Sequence, residues 1–141
     1  NRSLKNQIMA IQGMEAEENQ GSLAVCLDTI LEYEGISRNT QYLLDRGEGV
    51  LQILKDNLEQ TRVLDLTGVS LDSVLYYVNQ DIPVLVMTEE GEAVLLIGFN
   101  EMNTVIMNPA TGTVYKMGMN DSKDWFEKNG NRFITYVRME Q

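Results

Sequence analysis

Cys26 is the only thiol in the chain, and there is no histidine anywhere to serve it. A thiol nucleophile needs a base to take its proton and return it to a leaving amine, and imidazole is the side chain suited to that near neutral pH. Cys26 also shares a helical face with Leu23, Leu27 and Ile30, where a thiol behaves as a small apolar group. It is therefore read as a core residue. A single cysteine excludes an intrachain disulfide. With no histidine, no cysteine pair and no EF-hand-like loop, neither a metal nor another cofactor is expected.

Charge narrows the partners. The 21 acidic and 11 basic residues give a net charge of -10, which opposes nucleic acid, since that affinity rests on Lys and Arg neutralising phosphates. Such a surface keeps the chain soluble and attracts basic peptides. No apolar run approaches the roughly 20 residues that cross a bilayer, so this segment is not expected to insert into a membrane. The chain starts at Asn1 without an initiator methionine or a basic-then-apolar signal segment, and it is expected to be a piece of a longer protein.

The elements that would position any site follow from periodicity. Residues 1–19 are polar, with Leu4, Ile8 and Ile11 on one helical face. They are expected to form a linker or short helix ahead of a domain over residues 20–141. Leu23, Cys26, Leu27, Ile30 and Leu31 recur at helical spacing, and Gly35 closes that helix. Helices follow over residues 39–46 and 50–58, with a short extended piece at 63–66. Ser70 is the expected N-cap of a helix whose inward face is Leu71, Val74, Leu75 and Val78. The period then changes to two. Strands are expected at 83–88, 92–99, 104–108, 113–117 and 133–139, joined by turns rich in Gly, Asn and Pro, with one late helix at 121–128. Trp125 and Phe126 are expected to anchor that helix on the sheet, with a platform in a cleft as the functional alternative. Met87, Met102, Met107, Met117 and Met119 are read as core filling, with an adaptable peptide groove as their alternative. Helices first and hairpins second make an α+β domain with a mainly antiparallel sheet.

This order resembles the C39-type branch of the papain-like cysteine peptidases over about residues 20–137. That family has a strand reading roughly His-x-Val-Val-Val-x-Gly-Tyr-Asp and then Asp-Pro-x-x-Gly. This chain has Glu92-Ala93-Val94-Leu95-Leu96-Ile97-Gly98-Phe99-Asn100 and then Asn108-Pro109-Ala110-Thr111-Gly112. Aligning Gly35 on the glycine that ends the family's first helix puts Ser22, not Cys26, at the nucleophile position. The resemblance thus implies a papain-like fold, an N-terminal helical half packed on the sheet. Its three triad positions hold Ser22, Glu92 and Asn108 in place of Cys, His and Asp. The family's oxyanion-hole glutamine precedes the nucleophile by several residues. Gln12 and Gln20 are the nearest here, and neither falls at that spacing.

An alcohol is less acidic than a thiol and needs a stronger base, whereas a carboxylate, with a reference pKa of about 4.3, is a weak one. No catalytic residue is therefore expected. As ordinary residues, Ser22 reads as an N-cap or a small first-turn residue, Glu92 as a solvent-facing acid beside a turn, and Asn108 as a turn initiator. The expected function is a non-catalytic C39-like domain of a larger bacterial protein. Its cleft, with Gln20, Ser22, Glu92 and Asn108 as candidates, would dock a peptide or protein. The alternatives are an atypical peptidase using Ser22 and a purely structural or self-association module. A cell-surface location is favoured over the cytoplasmic part of a transporter. Oligomeric state is left open, as is whether residues 1–19 plug the cleft.

Overall fold

A computed structural model describes residues 7–9, 11, 13, 16 and 19–139. Five helices and seven strands alternate much as the periodicity predicts. They are β1 (Gln7–Ile8), α1 (Ser22–Tyr33), α2 (Thr40–Asp45), α3 (Val50–Asn57), β2 (Thr61–Asp65), α4 (Leu71–Asn79), β3 (Val84–Met87), β4 (Ala93–Phe99), β5 (Asn103–Met107), β6 (Val114–Gly118), α5 (Met119–Lys128) and β7 (Arg132–Arg138). Their ends are set by local chemistry. Ser70 accepts from the Ser73 N–H and starts α4. Gly35, at φ +84, turns the chain out of α1 while its N–H and that of Ile36 donate to Glu32 and Leu31.

All strand pairs in the sheet are antiparallel, in the order β2-β7-β3-β4-β5-β6, with β1 added to β4. β3 to β6 form the expected meander. β7 returns to insert between β2 and β3, a pairing with no local signal in the sequence. Val84, Leu85 and Val86 are buried in succession, as are Leu95, Leu96 and Ile97, so both faces of the central strands are covered. α1 and α4 pack on β3 and β4, α5 packs on β5 and β6, and α3 lies against β2.

The expected N-terminal helix is corrected at Gln7–Ile8, which form a strand. Gln7 pairs with Phe99 and Ile8 with Gly98, and the Met9 N–H donates to Ile97 O at 3.0 Å. The reason is an open edge. β3 covers β4 only over Ala93–Leu96, so the backbone of Gly98 and Phe99 would otherwise lack partners on that side. Leu4 lies outside the described residues.

At the far end of α1, Tyr136 is wholly buried and donates to Glu34 Oε2 at 2.5 Å, and Arg138 pairs with the same carboxylate at 2.7 Å. Burial first, and then the Glu34 hydrogen bond, push the Tyr136 hydroxyl well above its ordinary range. A raised folded pKa means that the unfolded chain ionises first. Its stabilising effect is therefore complete below about pH 10 and declines above that, by about 1.4 kcal/mol per pH unit per such tyrosine. Urea unfolding at pH 9 to 11.5 is expected to show this alkaline loss, and Tyr136→Phe should flatten it. An unchanged slope in that variant would refute the role given to Tyr136.

Candidate functional site

α1 starts without a side-chain cap. Gly21 is its N-cap, in extended conformation, and Ser22 is the first helical residue, so of the two ordinary places expected for Ser22 it takes the first turn and not the cap. The hydroxyl is engaged elsewhere. Ser22 Oγ donates to Glu92 Oε2 at 2.7 Å and accepts the Ala93 N–H at 2.9 Å, which ties the first turn of α1 to the start of β4. The first turn of α1 holds no acidic residue, so Glu92 supplies from the turn before β4 the negative charge that a helix N-terminus favours.

The approach to α1 is fixed from behind. Asp28 is buried and accepts from Gln20 Nε2 at 2.7 Å, from the Thr40 N–H at 3.0 Å and from Thr40 Oγ1 at 2.6 Å. The Gly21 N–H donates to Gln41 Oε1 at 2.8 Å. α2 thereby holds the loop that carries Gln20 and Ser22.

All four residues singled out from the sequence, Gln20, Ser22, Glu92 and Asn108, line one open groove of about 430 Å³. Val94, Pro109 and Trp125 give it an apolar wall. Glu92 is exposed, as an acid beside a turn should be, yet it is also bonded to Ser22. Asn108 acts as the turn residue that its position before Pro109 suggests, with Oδ1 accepting the Ala110 N–H at 2.9 Å. Among the described residues no hydrogen bond joins Asn108 to Glu92. Ala16 also lines the groove, so the N-terminal stretch reaches its wall, while Gln12 lies outside the described residues.

One feature of the groove was not assigned from the sequence. Thr88 Oγ1 accepts the Glu92 N–H at 3.1 Å and holds the turn that presents the carboxylate. Trp125 takes the cleft place given as its alternative: it is half-buried in the groove wall and packs against the core edge, while Phe126 is fully buried. Adjacent helical residues point about 100° apart, so two neighbouring aromatics cannot both face the sheet. Of the described methionines, Met9 and Met107 are buried in the core, and none lines this groove. Cys26 is wholly buried, and burial raises its thiol far above the ordinary range, as a core residue requires. Among the described residues no group of three or more His, Cys, Asp or Glu is placed to hold a metal ion, and no helix is long and apolar enough to cross a membrane.

The backbone matches the crystal structure of a proposed C39-like peptidase from Bacillus anthracis with a TM-score of 0.81, covering 97% of this chain and all of that one at 17% identity. This chain has the C39 peptidase fold. A second match, at a TM-score of 0.65 and 17% identity, covers 92% of this chain and 91% of a double-glycine-motif protease from an AMS/PCAT transporter, solved in complex with the leader peptide. No family model and no curated protein matches the sequence. The C39 fold confirms the expected α+β, papain-like architecture, with the helical half packed on an antiparallel sheet.

The chemistry of the C39-like groove follows from its atoms. A serine nucleophile must lose its proton to a base and present a lone pair to a carbonyl carbon. Here the Ser22 proton is directed to a carboxylate, and an amide N–H occupies a lone-pair direction of Oγ. Gln20 turns its Nε2 to Asp28. The arrangement is a clamp between helix and strand, bordered by a surface of apolar and amide groups.

Proposed function

We propose that this chain is a non-catalytic C39-like domain that binds an extended peptide in the groove beside Ser22 and does not cut it. The observation that carries this is the Ala93 N–H bound to Ser22 Oγ at 2.9 Å. It takes up a lone pair that attack on a carbonyl would use, and the hydroxyl proton meets a carboxylate where this chemistry uses an imidazole. An extended peptide is the fitting occupant because the groove is open, joins an indole and apolar wall to a polar end, and belongs to a fold of which another member was solved with a leader peptide. A bacterial origin and a docking role rest on the resemblance alone.

The second reading is hydrolysis through Ser22, which the 2.7 Å bond to Glu92 favours as a serine–carboxylate dyad. One experiment separates the two. Trp125 is the only tryptophan in the chain and lines the groove, so its emission reports occupancy. Titration with an extended-peptide library is expected to change that emission saturably while mass spectrometry finds every peptide intact. Cleavage that disappears in Ser22→Ala would establish the dyad. A flat emission across the whole library would remove the docking function.

A further inference from the structure

We propose a second docking surface, at the other end of β4 from the groove, that takes a basic segment studded with apolar residues from a partner protein. The two sites are separated by the length of the strand, roughly 20 Å. α4 turns Asp72, Leu75, Tyr76 and Asn79, at helical spacing, toward a cavity of about 500 Å³. Met119 and Lys123 of α5 form the facing wall, and Phe99 at the end of β4 lines it too.

Two observations point to a ligand. Asn79 lines the cavity as well, although its Oδ1 is itself shielded from solvent. Tyr76 in this cavity and Met102 in an adjoining one, which shares Glu101, Met119 and Lys123 with it, stand 60% and 71% exposed and together leave apolar surface uncovered. Around them lie Asp72, Glu101 and Asp121, against one cation, Lys123, which already reaches Asp72 at 3.4 Å.

The chemistry of the occupant follows. The excess of carboxylates calls for positive charge, and the tyrosine and methionines call for apolar side chains. A basic amphipathic peptide meets both demands. A second copy of this chain is opposed by its own charge of -10, and so is nucleic acid.

The probe is a fluorescein-labelled peptide of alternating leucine and lysine pairs, followed by anisotropy, with a twin carrying glutamate for lysine. Binding of the lysine peptide is expected, with a dissociation constant raised about tenfold by Glu101→Lys and by Tyr76→Ser. Glu59→Lys, an exposed charge change elsewhere on the surface, should have little effect. The side-chain amide resonances of Asn79 should shift on binding. Equal weakening by Glu59→Lys would reduce the interaction to general charge attraction and overturn the site. So would unchanged binding in Tyr76→Ser, equal binding of the glutamate twin, or no binding at all.

Discussion

Phe126→Ala is expected to cost about 3–5 kcal/mol, a large share of the 5–15 kcal/mol that holds a typical domain together. Phe126 has no exposed surface, and its ring packs edge-on to Phe133 of β7 at 5.6 Å and to Trp125 at 5.4 Å. It joins α5 to the interior, and α5 has little else to hold it. Its only other buried side chain is Ser122, whose hydroxyl bonds to Gly118 O at 2.8 Å and to Thr104 Oγ1 at 2.7 Å. The cavity left by the ring would loosen the helix that places Trp125 in the groove. A lower urea midpoint at unchanged slope, together with a red shift of the Trp125 emission, is the expected result. Phe126→Leu, which keeps most of the volume, should lose well under half as much. A loss below about 1 kcal/mol in the alanine variant would show that α5 is held by something other than this ring.

The helices and hairpins were legible because each advertises itself locally. Ser70 ahead of an apolar stripe marks α4, and Gly35 marks the end of α1. The closeness of Glu92 and Asn108 was legible too, since they flank a hairpin in which Leu95 pairs with Met107, so that Asn108 comes level with Val94. What failed depended on partners distant in sequence. Ile8 falls with Leu4 and Ile11 at a spacing that suits a helix, and only the open edge of β4 decides for a strand at Gln7–Ile8. Ser22 suits an N-cap or a first-turn place alike, and the bond from its hydroxyl to Glu92, 70 residues later, has no local signal. Asp28 reads as a polar residue near the middle of an apolar helix. Its function, to receive Gln20 and the start of α2, requires a contact that no periodicity reveals. Asn79 closes α4 unremarkably in the sequence, and its lack of a partner exists only in three dimensions.

If the groove is a C39 active site stripped of its reacting groups, Ser22→Cys, Glu92→His and Asn108→Asp combined should restore a reactive thiol. The 2.7 Å contact between Ser22 and Glu92 already places the first two positions within hydrogen-bond reach. Asn108→Asp keeps the oxygen that accepts the Ala110 N–H, so the turn survives. The pH of the measurement decides whether the effect is visible. At pH 5 an ordinary thiol, with a pKa of about 8.5, is ionised in about one molecule in 3000, and an imidazole that lowers it to about 6 raises that roughly 300-fold. The less basic thiolate is about 13-fold less nucleophilic, for a Brønsted slope of about 0.45. Iodoacetamide should therefore react about 20-fold faster at pH 5, whereas at pH 7 the two effects nearly cancel. Ser22→Cys alone is the reference, because its thiol would face the Glu92 carboxylate, which opposes ionisation. Cys26 is buried and should stay silent in the folded protein, so the label reports the new thiol. If the triple variant reacts no faster than the single one at pH 5, Glu92 does not occupy the position of the catalytic base, and the derivation of this groove from a peptidase site fails.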